Sequence, residues 1–106
     1  MNATPFNAAG HDTAGISLRI QDWLAAHIGE LLSLPVDQIP LDTPFDRYGL
    51  DSAAAVGMIG DLGEWLGRTL DPTLPYDYPT VLQLADHLAE VVSADEKQRA
   101  ATQEAA

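Results

Sequence analysis

Three stretches of the chain repeat apolar residues every three or four positions, which is the spacing of a helix with one buried face. They cover residues 16–33, 52–66 and 80–92, and residues 74–78 are suited to a single short helical turn. No segment shows the apolar alternation of a half-buried strand. The pattern therefore predicts an all-α fold, a small helical bundle of three main helices plus a short helix.

Each predicted helix has its own apolar stripe. The first contains Ile16, Ile20, Trp23, Leu24, Ile28 and Leu31. The second contains Ala55, Val56, Ile59, Leu62 and Leu66, and the third contains Val81, Leu84, Ala85 and Leu88. The second helix also includes Gly57, Gly60 and Gly63. Each of these glycines lowers the stability of the helix by about 1 kcal/mol relative to alanine, so packing against the bundle must hold it. We expect the glycines to allow close helix packing.

A long first loop, residues 34–51, joins the first two helices. It contains three prolines and no sustained apolar period, so we expect an ordered but irregular segment. Five apolar side chains should pin it to the bundle: Val36, Ile39, Leu41, Phe45 and Leu50. A connection of this length within a compact domain is usually functional.

The two ends of the chain are polar and lack an apolar face. We therefore expect one folded domain, residues 15–92, between flexible tails at residues 1–14 and 93–106. No apolar run approaches 18 residues, and the first residues have neither a basic region nor an apolar core. These features predict a cytoplasmic protein without a signal peptide or a membrane span.

Charge narrows the choice of partners. The chain has 16 acidic and 5 basic residues, a formal net charge of −11, and most of the acids lie in residues 15–92. Such a surface repels phosphate backbones and anionic membranes, so we expect a monomer with basic protein partners and no binding to nucleic acid or membrane. Because there is no cysteine, disulfides, cysteine-based zinc sites and thiol chemistry by the polypeptide are excluded.

The candidate for chemistry is Ser52, where the long loop meets the second helix. Gly49 permits a sharp turn, and Asp51 and Ser52 are residue types favoured at helix starts, so simple capping is the commonest explanation of the pair. His11 lies in a tail, whereas His27 and His87 lie on other helices at half-exposed positions without metal-ligand spacing. Ser52 thus has no local base, and we predict no catalytic residue, no metal site and no enzymatic activity.

The segments FDRYGLDSAAAVGMIGDLGEWLG and YDYPTVLQLADHLAE resemble acyl carrier proteins of the polyketide-synthase type over about residues 18–92. The most specific element is GLDS, together with its approach TPFDRYGLDS and the later DYPTV. The resemblance implies that a phosphopantetheinyl transferase attaches a 4'-phosphopantetheine arm from coenzyme A to Ser52. It also implies that the arm carries acyl groups as thioesters. A phosphodiester there would lie at the positive end of the helix dipole.

The resemblance further implies docking of a ketosynthase or other assembly-line domains on the loop and the second helix. The partner-docking candidates are Asp46, Leu50, Asp51, Ala53, Val56, Gly57, Asp61 and Glu64. Related carriers commonly have a large apolar residue at the position of Ala53 and an acid at that of Gly57, so generic recognition near Ser52 should be weaker. Charge changes among these acids should alter association rates more than stability.

Other features leave alternatives open. The string GDLGEWLGRTLDPTLPYDYPT resembles carriers loaded by a fatty acyl-AMP ligase, and an acyltransferase is the other possible loading enzyme. A peptidyl carrier domain of a nonribosomal peptide synthetase is an alternative, which Asp51 after Leu50 disfavours. An unmodified acidic helical adaptor is an alternative from another class.

Trp23 and Trp65 are expected in the core, and Arg47 and Arg68 on the surface.

Overall fold

The computed structural model describes the backbone of residues 12–105 and the side chains of residues 12–95. Its helices are α1 (Thr13–Leu32), α2 (Ser52–Leu66), α3 (Leu74–Asp77) and α4 (Val81–Ala105). The long loop between α1 and α2 contains two 3₁₀ turns, Val36–Gln38 and Phe45–Tyr48. Residues 12–105 contain no strand. The predicted all-α bundle with a short third helix and a long first loop is confirmed.

The core lies between α1, α2 and α4, and α1 and α4 share the most extensive contact. The largest fully buried side chains are Ile16, Ile20, Leu24, Ile28, Leu50, Met58, Ile59, Leu62, Val81, Leu84 and Leu88. Burial of each such side chain contributes about 1.5–3 kcal/mol. Within the described residues, no helix is long and apolar enough to cross a membrane.

Three residues predicted to be buried are exposed instead. Leu31 is 48% exposed, Val36 54% and Val56 42%. The buried face of α1 runs through Ile16, Ile20, Leu24 and Ile28, and it continues into positions 17, 25 and 29 rather than 31. Burial thus favours one edge of the α1 and α2 stripes, whereas the α4 stripe of Val81, Leu84, Ala85 and Leu88 is fully buried.

α1 begins at Thr13, three residues before the first residue of its apolar stripe, Ile16. Its N-cap is Asp12, whose Oδ1 accepts a 2.7 Å hydrogen bond from the backbone N–H of Gly15. Thr13 and Ala14 therefore belong to the helix and not to the predicted N-terminal tail. The rest of that tail, including His11, lies outside the described residues.

α4 extends beyond the predicted end of the domain, to Ala105. Residues 93–105 contain no glycine or proline and are rich in strong helix formers, so they continue the helix. The Thr13 hydroxyl donates a 3.1 Å hydrogen bond to Ser93 Oγ. Asp95 Oδ2 lies 2.5 Å from Arg68 Nη2. The backbone is therefore helical from residue 93, where a flexible tail was predicted, to residue 105. The domain boundary at residue 92 stays a prediction.

The glycines of α2 have different roles. A Cβ atom on Gly63 would lie 2.6 Å from the carbonyl oxygen of Arg68, so the chain leaving α2 passes too close for any side chain. Gly57 and Gly60 face open space. The prediction that all three permit close helix packing is therefore wrong, since only Gly63 is a point of close approach and its neighbour is a turn.

The long loop is tied to the end of α3 and the start of α4 by backbone hydrogen bonds. The N–H of Phe45 donates to the carbonyl of Pro79 over 2.9 Å, and the N–H of Leu82 donates to the carbonyl of Leu41 over 3.1 Å. The Phe45 side chain is buried beneath them. These contacts hold the segment before α2 in place, and with it the residues around Ser52.

Candidate functional site

Ser52 is the first residue of α2 and its side chain is exposed. The chain reaches it through Gly49, whose φ of +105° would strain any other residue. Leu50 then turns inward with 2% exposure, and its N–H donates a 3.2 Å hydrogen bond to the carbonyl of Phe45. The sequence Gly-Leu-Asp-Ser thus places a buried anchor two residues before an exposed hydroxyl.

Asp51 caps α2. Its Oδ1 accepts a 2.9 Å hydrogen bond from the N–H of Ala54, and its carbonyl accepts one of 2.9 Å from the N–H of Ala55. The Ser52 hydroxyl forms no hydrogen bond with the described residues. Capping, the commonest explanation of an Asp-Ser pair, therefore applies to Asp51 and leaves the Ser52 hydroxyl available for reaction.

The first turn of α2 suits an anion attached to Ser52. The N–H groups of Ser52 and Ala53 have no acceptor within the helix, and the positive end of the helix dipole lies beside them. This environment stabilises a nearby negative charge by about 0.3–1 kcal/mol. It partly offsets repulsion from the carboxylates of Asp46 and Asp51. A group attached through a phosphodiester therefore fits the residues present.

A cleft of about 260 Å³ opens beside Ser52, between α2 and α3. Its walls include Val56 from α2 and Pro75 and Tyr76 from α3, and Phe45 from the loop also lines it. Val56 is 42% exposed and Tyr76 66% exposed. The sequence analysis missed this cleft, because a four-residue helix has too few positions to show which face meets α2. The only sequence signal was an aromatic residue in a proline-rich turn.

The predicted docking residues are accessible with one exception. Seven of the eight are exposed: Asp46, Asp51, Ala53, Val56, Gly57, Asp61 and Glu64. The α2 members, Ala53, Val56, Gly57, Asp61 and Glu64, share one helix face. Leu50 is wrong as a docking residue, because its side chain is part of the core.

His27 and the two tryptophans lie at the contact between α1 and α2. The rings of Trp23 and Trp65 stack at 5.8 Å, and His27 stacks on Trp23 at 4.8 Å. Both tryptophans are partly buried against the core, as predicted. His27 Nε2 also lies 3.6 Å from Asp61 Oδ2, so one candidate docking carboxylate is already beside an imidazole.

His87 and Arg68 complete the set of candidate side chains. His87 is half-buried and stacks on Tyr78 with a centroid distance of 4.1 Å. Arg68 was expected to be a plain surface charge, but its Nε is buried without a hydrogen-bond partner and its guanidinium pairs with Asp95. Among the described residues, no group of three or more His, Cys, Asp or Glu side chains is arranged to hold a metal ion.

Residues 22–88 match the family model described as a phosphopantetheine attachment site. The chain belongs to this family. It is 48% identical over 48 residues to the acyl carrier protein TtuC of Teredinibacter turnerae, a match that covers 45% of this chain and 55% of that protein. It is 33% identical over 88 residues to the erythronolide synthase EryA3 of Saccharopolyspora erythraea, which covers 81% of this chain and 3% of the synthase.

Solved carrier structures share the fold. An acyl carrier protein from Anabaena with a variant phosphopantetheinylation-site sequence superposes with a TM-score of 0.68 at 33% identity, covering 87% of this chain and 96% of that one. A free-standing peptidyl carrier protein from Acinetobacter baumannii gives a TM-score of 0.64 at 33% identity, covering 76% and 96%. The chain thus spans about half of one curated relative and a small part of a synthase.

These similarities confirm the family that the GLDS motif indicated. The chain has the phosphopantetheine attachment domain of carrier proteins, and it is similar to acyl carrier proteins and polyketide synthases. Proteins of this family hold 4'-phosphopantetheine covalently on a serine. The arm supplies a thiol, which the cysteine-free polypeptide lacks.

Proposed function

We propose that this carrier holds acyl groups on a 4'-phosphopantetheine arm attached to Ser52. The observation that carries the proposal is the exposed Ser52 hydroxyl at the start of α2, which forms no hydrogen bond within the part of the chain that the structure describes, while Asp51 caps the helix. Ser17, by contrast, is buried and donates a 2.6 Å hydrogen bond to Asp86.

Attachment requires a partner enzyme, because no base among the described side chains, residues 12–95, hydrogen-bonds to the Ser52 hydroxyl. A phosphopantetheinyl transferase would supply the base that takes the Oγ proton. The Ser52 oxygen then forms a bond to the pantetheine phosphorus of coenzyme A, and the phosphoanhydride bond breaks to release adenosine 3',5'-bisphosphate. The exposed hydroxyl and the unpaired N–H groups of the first helical turn suit this transfer.

Mass spectrometry of the intact protein tests the attachment site. After incubation with a broad-specificity transferase and coenzyme A, the wild type should gain one phosphopantetheine, and Ser52→Ala should gain none. Ser33→Gly is the matched control, because Ser33 is exposed and its left-handed backbone, with φ of 57°, accepts glycine. A gain that persists in Ser52→Ala would refute the site. No gain in the wild type would favour the unmodified adaptor.

The docking surface proposed for the transferase, the ketosynthase and other assembly-line domains is the exposed face of α2 with the loop before it. The seven exposed candidates lie there, and Asp61 and Glu64 give its far end a negative charge. Ala53 and Gly57 contribute no charge and little bulk to the first turns of α2. We expect basic partners to contact the carboxylates and to meet little side-chain bulk near the arm.

For loading, we propose a fatty acyl-AMP ligase, on the resemblance of the segment from Gly60 to Thr80. The phosphopantetheine-bearing protein, incubated with such a ligase, ATP and a fatty acid, should gain the mass of one acyl group. Exclusive loading by a malonyl-type acyltransferase would refute this choice.

The peptidyl-carrier alternative is supported by the Acinetobacter structure at 33% identity. It predicts loading by an amino-acid-activating adenylation domain. A side-by-side assay with a fatty acyl-AMP ligase and a set of adenylation domains distinguishes the two cargo classes, because each enzyme adds a different mass to the same arm.

A further inference from the structure

His27 lies where α1 and α2 meet, beside one carboxylate of the proposed docking surface. Its Nε2 is 3.6 Å from Asp61 Oδ2. The Asp61 side chain is 60% exposed, whereas the His27 side chain is only 21% exposed. A partner that docks on α2 can therefore contact the carboxylate, while most of the imidazole is covered by this chain.

Stacked rings fix the position of this imidazole. His27 stacks on Trp23 with 4.8 Å between the ring centroids and 11° between the ring planes, and Trp23 stacks on Trp65 of α2 at 5.8 Å. His27 and Trp23 are one helical turn apart on α1, so the three rings span the contact between the two helices. The imidazole cannot swing away from Asp61 without leaving this stack.

The nearest charged residues on the elements packed around His27 are acidic. They are Glu30 on α1, Asp37 on the first 3₁₀ turn, Asp61 and Glu64 on α2, and Asp86 on α4. Asp86 already accepts a 2.6 Å hydrogen bond from Ser17. Residues 20–32 of α1 and all of α2 contain no lysine or arginine. A proton on His27 would thus introduce a positive charge where these two helices otherwise have none.

Protonation of His27 changes the charge that this part of the docking surface presents. Histidine is the side chain whose charge commonly changes between about pH 5 and pH 8, whereas exposed carboxylates stay ionised over that range. A neutral imidazole leaves the Asp61 carboxylate as an uncompensated negative charge. An imidazolium 3.6 Å away pairs with the carboxylate, and the pair then has no net charge.

We propose that His27 makes the docking surface sensitive to pH, because its protonation weakens the attraction of Asp61 for basic partners. This inference rests on the docking surface proposed above, of which Asp61 is a part. As the pH falls from about 7.5 to about 5.5, the charged pair forms and association with a basic partner slows. The effect is largest at low salt, since ions screen the attraction.

Two variants with a fixed charge at position 27 test the proposal. His27→Gln is neutral at every pH, and His27→Arg is charged at every pH while its planar guanidinium can still stack on Trp23. Transfer of phosphopantetheine from coenzyme A is measured with one broad-specificity transferase at low salt, at about pH 7.5 and about pH 5.5. The carrier concentration is kept well below KM. Ratios of rates at the same pH remove the titration of the transferase itself.

The wild type should be about two- to threefold faster than His27→Arg at the higher pH and should match it at the lower pH. Relative to His27→Gln, the wild type should lose about two- to threefold between the two pH values. The two comparisons are independent, so either variant alone can decide the question. A wild type that keeps the same ratio to both variants at both pH values would overturn the inference while leaving attachment and docking intact.

His87→Gln is the matched control, because His87 is also half-buried and stacks on an aromatic ring, Tyr78, but lies on α4. The ratio of wild type to His87→Gln should be the same at both pH values. A change as large as that for His27→Gln would show that total charge and not position matters, and it would overturn the inference. Absence of the phosphopantetheine mass in the wild type would instead overturn attachment, and with it the docking that this inference requires.

Discussion

The Asp51 carboxylate is hydrogen-bonded to the backbone N–H of Ala54, with 2.9 Å between Oδ1 and N. This contact holds the start of the helix that presents Ser52. It gives Asp51 a structural role in addition to its predicted place on the docking surface. We therefore expect charge changes at Asp51 to lower stability in addition to any effect on association.

Replacing Asp51 by alanine should lower the free energy of unfolding by about 1 kcal/mol, since the N-cap acceptor is lost. Asp46→Ala is the control, because Asp46 is exposed and caps no α-helix, and it should change stability by less than about 0.5 kcal/mol. Urea denaturation measures both. Equal stabilities of the two variants would show that the cap contributes nothing.

The Tyr48 hydroxyl is buried without a hydrogen-bond partner. Burial raises the pKa of Tyr48 from 10.0 to about 12. Between pH 10 and about 12, the unfolded chain loses this proton while the folded chain keeps it, so stability should fall as the pH rises through that window. Below pH 10 the effect should be absent.

Tyr48→Phe should abolish this part of the alkaline loss. At neutral pH it should leave stability unchanged or raise it by up to about 1 kcal/mol, because a buried unsatisfied hydroxyl is removed. Tyr76→Phe, at an exposed position, is the control and should keep the alkaline loss. Denaturation series from about pH 8 to about pH 11, on both sides of the ordinary tyrosine pKa, measure the difference. An unchanged alkaline profile in Tyr48→Phe would contradict the assignment.

The α2 glycines should respond to alanine in opposite directions. Gly57→Ala and Gly60→Ala place a methyl group in open space and should each stabilise the protein by up to about 1 kcal/mol. Gly63→Ala should destabilise it, because the new Cβ would lie 2.6 Å from a backbone oxygen. Thermal melts of the three single variants give the comparison. A similar shift in all three would refute the close approach at Gly63.

Truncation tests where the folded unit ends. A chain ending after Val92 loses the Thr13–Ser93 hydrogen bond and the Arg68–Asp95 ion pair, whereas one ending after residue 96 keeps both. The shorter chain should be less stable by roughly 1–2 kcal/mol, from one hydrogen bond and one half-exposed ion pair. Urea denaturation of the two chains decides the point. Identical midpoints would support the predicted boundary at residue 92.

Charge reversal tests the docking face. Asp61→Lys and Glu64→Lys should each slow the transfer of phosphopantetheine from coenzyme A by about three- to tenfold at low salt. The difference from the wild type should shrink at high salt, because salt screens the attraction to a basic partner. Glu90→Lys, at an exposed position on α4, is the control. Stability should change by less than about 0.5 kcal/mol in all three. A lower stability with unchanged transfer kinetics would contradict the surface.

Features that depend on neighbouring residues along the chain were predictable. The predicted bounds of α2, residues 52–66, match the observed helix, because Asp51 and Gly67 provide its local start and end signals. The short helix α3, Leu74–Asp77, was predicted as a single turn over residues 74–78. The candidate Ser52 came from a motif that is itself continuous in sequence. Capping and helical periodicity act over about four residues, so one sequence contains the information.

Errors in the predicted helix ends had local causes as well. α1 begins before its first apolar residue because Asp12 caps it, and α4 continues past residue 92 because residues 93–105 favour helix without having an apolar face. Apolar periodicity reports which face is buried and not where the backbone stops being helical. A polar, alanine-rich segment can therefore be helical without showing apolar periodicity.

The sequence by itself determined the helical architecture, the family and the residue proposed to carry the arm. Only the tertiary structure decided that Leu50 is buried while Val56 is exposed, that Arg68 pairs with Asp95, and that a cleft lies between Ser52 and Tyr76. The physical reason is the distance along the chain over which each interaction acts. Periodicity and capping arise within a few residues, whereas burial, ion pairing and clefts arise where segments far apart in the chain meet, and their packing selects which side of each apolar stripe is covered.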